Sequence, residues 1–179
     1  MDCPACGTHG ISAIELEENL NGYICSACEG IWVKGYQYWK WLKTHGSILP
    51  EKPADFSADV PVADSRQAKI CIECGHVLLR NKVGHGIPFY LDRCSACGGI
   101  WFDKNEWEVL KSRNLHDEIH LIFTAAWQND NRKKEQEAGY ERSMAEAIGE
   151  KEYDELKRVK SWITSHPQKN LIFGYLLHD

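Results

Sequence analysis

The chain has 179 residues with 21 Lys+Arg against 26 Asp+Glu, a formal net charge of -5. That length fits one or two domains. There is no apolar run of about 18 residues, which excludes a membrane-spanning helix. The acid excess argues against general attraction to polyanions.

In chain order, the first feature is Cys3-Pro-Ala-Cys6, followed after an 18-residue gap by Cys25-Ser-Ala-Cys28. Ile14 and Leu16 alternate with polar residues between the two pairs, and Asn21-Gly22 predicts the turn of a β-hairpin. A short helix follows, crowded with Trp32, Tyr36, Tyr38, Trp39 and Trp41, with Lys34, Lys40 and Lys43 interleaved. A helix cannot point five aromatics one way, so some of these rings are expected in the core and the rest on an interaction surface. Residues 46–69, with Pro50, Pro53, Pro61, Glu51, Asp55, Asp59 and Asp64, read as a linker.

The unit then recurs. Cys71-Ile-Glu-Cys74 precedes Cys94-Ser-Ala-Cys97 by 19 residues. Val77-Leu78-Leu79 and Phe89-Tyr90-Leu91 flank a Gly84-His85-Gly86 turn. Cys25-Ser-Ala-Cys-Glu-Gly-Ile-Trp32 and Cys94-Ser-Ala-Cys-Gly-Gly-Ile-Trp101 are identical at seven of eight positions, which signals internal duplication. Asp103 and Glu106 form an expected capping box for the helix that follows. From about residue 112 onward the pattern reads as helical throughout. Leu115, Ile119, Ile122, Phe123 and Trp127 mark one stripe, Tyr153, Leu156, Val159, Trp162 and Ile163 another. Pro167 opens a last helix bearing Leu171, Ile172, Tyr175 and Leu176.

Eight cysteines in four C-x-x-C pairs leave none over. Two such knuckles facing each other close a tetrahedron of thiolates around one metal ion. Met1-Asp2-Cys3 offers no basic and apolar leader, so a reducing, cytoplasmic setting is expected, where disulfides are rare. The expected sites are Cys3, Cys6, Cys25 and Cys28, and Cys71, Cys74, Cys94 and Cys97. Two Zn²⁺ ions are the expected cofactors, with iron as the alternative. Each unit spans about 40 residues, too few for a self-sufficient core, so metal must supply folding free energy.

The pattern C-P-x-C-G followed by C-x-x-C-x-G-I-W resembles the bacterial zinc-ribbon family related to the zinc ribbon of transcription factor IIB. The resemblance covers residues 3 to about 43 and 71 to about 111. Family members often continue with an acidic residue after the Trp and a Glu three further on. Asp103 and Glu106 match this, whereas Lys34 and Gln37 depart from it. The resemblance implies two metal-pinned ribbons and a role in nucleic-acid binding.

His116-Asp-Glu-Ile-His120 has the histidine spacing of a zinc protease, but Asp117 stands where the general base would be and no third ligand is evident. The simpler reading is two exposed histidines on a helix. No nucleophile elbow, phosphate-binding loop or dinucleotide fingerprint is present. Arg80, Lys82 and Arg93 mark a modest cationic patch near the second hairpin, yet no segment of the chain is net basic.

The sequence therefore predicts a small metal-stapled α+β fold. Zinc ribbon 1 occupies residues 1–45, a linker 46–69, zinc ribbon 2 residues 70–112 and an all-helical region 113–179. The expected function is a non-enzymatic interaction module that docks to a protein partner, with no membrane association. Nucleic-acid binding, linked to transcription, is the alternative, and a His-centred metalloenzyme a third reading. Trp39, Trp41, Arg80, Lys82 and Arg93 are the candidate interaction surface.

Overall fold

The structure is a computed structural model that describes residues 2–45 and 61–178. Pro50, Pro53, Glu51, Asp55 and Asp59 of the predicted linker lie outside the described residues. The chain forms two compact units, Met1–Asn131 and Arg132–Asp179.

The first unit is built on one six-stranded antiparallel sheet, not on two separate ribbons. Its strands are β1 (Ile11–Glu17), β2 (Leu20–Cys25), β3 (Ile31–Val33), β4 (Leu78–Gly84), β5 (Ile87–Cys94) and β6 (Ile100–Phe102), in the order β1-β2-β3-β6-β5-β4. Each ribbon contributes three strands, and β3 pairs with β6 at the centre. There Trp32 lies opposite Trp101, Ile31 opposite Phe102 and Val33 opposite Ile100. The duplicated halves thus meet about a local twofold through their identical Gly-Ile-Trp segments.

This junction explains the motif. Trp32 and Trp101 are fully buried. A Cβ added to Gly30 would fall inside the Trp101 ring, and one added to Gly99 inside the Trp32 ring. Each glycine is the seat for the other ribbon's indole. Two cross-ribbon ion pairs flank the junction, Lys34 with Glu73 at 3.0 Å and Lys104 with Glu29 at 2.6 Å. Gly30→Ala or Gly99→Ala should therefore cost about 1–3 kcal/mol by overpacking. Urea unfolding of the metal-loaded variants checks this. An unchanged midpoint would show that the indoles have room to move.

Strand alternation gives the sheet two buried faces. Val33, Phe89, Leu91, Ile100 and Phe102 point to the helical face. There α1 (Gly35–Thr44), α2 (Glu106–Ser112) and α3 (Ile119–Ile122) contribute Tyr38, Trp41, Trp107, Leu110, Ile119 and Ile122. Trp32, Trp101 and the four buried cysteines point to the opposite face. By merging, the ribbons gain a shared core that neither could build from about 40 residues.

Three local expectations change. The first hairpin turns at Glu18–Asn19, because Glu17 pairs with Leu20 and Leu20 is wholly buried. Asn19 takes the left-handed conformation there, at φ 65°. Gly22 sits inside β2, where a Cβ would stand 3.0 Å from the Trp32 carbonyl oxygen. The second hairpin turns at His85–Gly86, where the glycine-rich signal predicts it. The apolar stripe from Leu115 is not one helix. α3 has four residues, and α4 (Ala125–Ile148) begins anew after Thr124, whose hydroxyl accepts from the Trp127 N–H at 3.3 Å.

The start of α4 covers the end of edge strand β4. Gln128 accepts from the Lys82 N–H and donates to the Lys82 carbonyl, and the Trp127 indole donates to the Val83 carbonyl. Side chains here replace the missing neighbour strand and blunt the edge.

The second unit is helical, comprising the rest of α4, α5 (Glu150–Ser165) and α6 (Lys169–Leu176). Gly149, at φ 97°, separates α4 from α5. Among the described residues no helix is long and apolar enough to cross a membrane.

Candidate metal centres

All four knuckles have the same backbone turn. The N–H four residues after the first cysteine donates to that cysteine's carbonyl, at 2.9–3.0 Å, in Cys3–Gly7, Cys25–Glu29, Cys71–Gly75 and Cys94–Gly98. The closing residue has positive φ each time. Three are glycines, and the fourth is Glu29 at φ 58°. A side chain there costs about 1–2 kcal/mol, and Glu29 uses it to reach Lys104.

The knuckles converge in two local sets, Cys3, Cys6, Cys25 and Cys28, and Cys71, Cys74, Cys94 and Cys97. Within each set the sulfur atoms lie within 4.8 Å of one another. Cys3 and Cys28 approach to 3.5 Å, Cys6 and Cys25 to 3.7 Å, Cys71 and Cys97 to 3.5 Å, and Cys74 and Cys94 to 3.4 Å. A tetrahedron with metal–sulfur bonds of about 2.3 Å has edges of about 3.8 Å. The donor sets therefore fit a four-thiolate ion such as Zn²⁺, and the cysteines are not disulfide-bonded. The Thr8 hydroxyl and backbone hold the Cys6 thiol down to about 6, while burial pushes the Cys28 and Cys97 thiols up. Metal binding must displace these protons, so acid favours release.

Beside the second centre lies a buried charged network that sequence reasoning missed. Lys69, 1 % exposed, donates to Asp92 at 2.5 Å, to Asp103 at 3.2 Å and to the Ser65 carbonyl at 3.1 Å. Asp103 also accepts from the Trp101 indole and from the Ser65 N–H, both at 2.7 Å. Asp64, Asp103 and Glu106 bring carboxylate oxygens within 4.8 Å. The cations of this cluster are the chain's own, Lys69 on Asp103 and Arg80 on Asp64. Residues 61–69, read as the end of a linker, are strapped to the second ribbon by these bonds and by Asn105 donating to the Pro61 carbonyl.

Only half of the predicted capping box forms. Glu106 accepts from the Asp103 N–H at 2.8 Å. The Asp103 carboxylate is spent on Trp101, Ser65 and Lys69, and the residue before the helix is Asn105 in the left-handed region. In the first ribbon Lys34 stands where Asp103 would be and reaches out to Glu73 and the Tyr23 ring. The matching Trp32 Nε1 and Gln37 Oε1 are buried without a hydrogen-bond partner.

Burial raises the Glu106 carboxyl to about 9, and its Oε1 has no hydrogen-bond partner. The folded state thus holds a proton that the unfolded chain releases near the ordinary carboxylate range. This contribution is complete below that range and is lost as pH rises through about 9. Glu106→Gln, the residue of the first ribbon at the matching position, should raise stability at pH 8 and flatten its decline between pH 6 and 9. Urea midpoints across that range, with metal retained, test this. A parallel decline in both proteins would exclude Glu106 as its source.

The predicted surface residues separate. Trp41 is buried against Tyr38, Trp107 and His116 and belongs to the core, not to an interaction surface. Arg80 is engaged by Asp64 and the Ser65 carbonyl and lies over Tyr90. Lys82 lies 6.0 Å from the same ring. Trp39, 43 % exposed, and Arg93 line one shallow hollow of about 30 Å³ with Tyr38, His120 and Phe123. Tyr36 is exposed beside them in sequence.

His116 and His120 do not share a helix face. His116 lies in the bend before α3 and packs on Trp41 and Trp107, while His120 packs on Trp39. Both are partly buried aromatic neighbours, not exposed helical side chains.

The molecule is thus an α+β protein with a six-stranded antiparallel sheet, six helices among the described residues and two four-cysteine centres compatible with zinc ribbons. Comparison with known proteins adds no relative: no protein-family profile, no curated protein and no solved structure matches the chain.

Proposed function

We propose that this protein is a non-enzymatic zinc-binding module that docks to a protein partner. The observation that carries this reading is the apolar surface of the helical unit. Tyr140, Leu156, Trp162, Leu171, Tyr175 and Leu177 are all exposed, and Ile163 is the buried apolar residue of α5 and α6. Large apolar side chains left exposed in this number on one small unit favour an interaction role. The two thiolate centres are coordinatively closed, as structural zinc sites are. Their role in this reading is to hold the sheet unit together.

Nucleic-acid binding is the second reading, favoured by Trp39 and Arg93 sharing one hollow. An aromatic face beside a guanidinium suits a stacked base and its phosphate. Against it stand the net charge of -5 and the engagement of Arg80 by Asp64.

Affinity capture with the full, metal-loaded chain from its native host, with and without nuclease, separates the two. Captured protein should survive nuclease treatment. In parallel, labelled single-stranded and duplex oligonucleotides should bind weakly with a shallow salt dependence. Tight binding with a steep salt slope, abolished by Arg93→Ala, would put nucleic acid first.

A further inference from the structure

The two edges of the sheet are finished differently. β4 is covered: Leu78 donates its N–H to the Lys69 carbonyl, the Arg80 guanidinium holds the Ser65 carbonyl, and Gln128 and Trp127 close on Lys82 and Val83. β1, at the opposite edge, pairs with β2 alone among the described residues. The Ser26 N–H donates to the Gly10 carbonyl at 3.2 Å. Antiparallel alternation from that pair turns the backbone of Ser12 and Ile14 toward β2 and that of Ile11, Ala13 and Glu15 outward. Ala13 and Glu15 are exposed. β1 thus presents a row of free N–H and C=O groups, with no Pro or Lys to blunt it.

We propose that the β1 edge is a docking site for an extended, basic segment of a partner protein, which adds to the sheet as a further strand. The proposal rests on the docking reading and gives it a second surface, on the sheet unit. Charge selects the occupant. Residues 1–33 hold five acids and no Lys or Arg. His9 faces Asp2, Lys111 pairs with Glu17 and Lys104 with Glu29. Among the described residues no cation pairs with Glu18, or with Glu15, whose carboxylate takes the Asn19 N–H at 3.2 Å. A Zn²⁺ ion held by four thiolates adds a net charge of about -2, and Cys25 of the first centre stands opposite Ile11. Side chains opposite one another on adjacent strands have Cβ atoms about 4.5–5.5 Å apart. A Lys or Arg of the added strand facing Glu15 therefore reaches its carboxylate. A second copy would bring the same acids and another anionic centre to the seam, and a nucleic acid would bring phosphates, so charge disfavours both.

Titration of the full, zinc-loaded chain with labelled octapeptides, read by fluorescence anisotropy, tests this. An alternating lysine–valine peptide should bind at least about tenfold more tightly than an alternating glutamate–valine peptide. It should also outdo its own backbone N-methylated form, which has equal charge but no N–H to donate. In the lysine–valine complex, amide exchange at Ala13 and Glu15 should slow. Ala13→Pro removes the central outward N–H and none that faces β2. It should keep two metals per chain and the native near-UV spectrum, yet weaken the lysine–valine peptide on the order of tenfold. Glu15→Lys with Glu18→Lys should weaken the lysine–valine peptide and strengthen the glutamate–valine peptide, a gain that only a folded chain can show. Three results each overturn the edge: equal binding of the N-methylated peptide, undiminished binding to a folded Ala13→Pro chain, or an unchanged ratio of the two affinities in the double variant. A chain that binds no peptide but captures a protein through its helical unit overturns the edge and leaves the docking reading standing. A chain that binds no peptide and captures no protein overturns both.

Discussion

Removal of the two metals is expected to unfold the whole sheet unit in a single transition. Structural zinc contributes apparent free energies of about 10–16 kcal/mol in small modules, against a net stability of about 5–15 kcal/mol for a domain. The sheet is continuous through β3 and β6, and each ribbon's indole is seated on the other's glycine. Neither half can therefore melt without exposing the Trp of its mate. Six of the seven tryptophans lie before residue 132, so the near-UV signal should collapse on chelation, while helical far-UV signal from α5 and the rest of α4 should partly persist. Elemental analysis of the untreated protein should give two metals per chain. Cys94→Ser alone should destabilise both ribbons. A variant that loses one metal yet keeps the other, with a native near-UV spectrum, would falsify this coupling.

The second large effect concerns Lys69. Lys69→Met should cost about 3–5 kcal/mol, because it leaves the Asp92 and Asp103 carboxylates buried without their cation. Burial already raises the Asp92 carboxyl above the usual range despite Lys69. The loss should deepen as pH rises, when Asp92 can no longer stay protonated. Combining Lys69→Met with Asp92→Leu should recover part of the stability, since a buried pair replaced by apolar groups is often tolerated. Urea midpoints of the two variants at pH 6 and 8 decide it. A single variant within about 0.5 kcal/mol of the parent, the range of ordinary surface changes, would mean that the ammonium is not needed there.

Much of the metal chemistry was legible in the sequence because it is local. A C-x-x-C turn is closed by hydrogen bonds within five residues, and its thiolates face one way whatever surrounds them. Spacing alone therefore paired Cys3 and Cys6 with Cys25 and Cys28, and Cys71 and Cys74 with Cys94 and Cys97. The second hairpin turn was legible for the same reason. Asn21-Gly22 misled, because turn propensity there is outweighed by burial of Leu20 and by the space that Trp32 needs above Gly22.

Other features depend on partners distant in sequence, and only the tertiary structure decided them. Lys69 reads as a linker residue until the fold sets Asp92 and Asp103 against it, 23 and 34 residues on. The aromatic run after the first ribbon was divided by helix geometry. Tyr38 and Trp41 face the sheet, while Tyr36 and Trp39 face outward. The Gly-Ile-Trp repeat announced duplication but not that the two copies would interlock. By itself the sequence determined the two thiolate sets and the duplicated hairpins, because their geometry is closed within a few residues or a single hairpin. The joining of the halves into one sheet, the buried Lys69 network and the split of the aromatics between core and surface came only with tertiary packing, because burial is a property of the assembled chain.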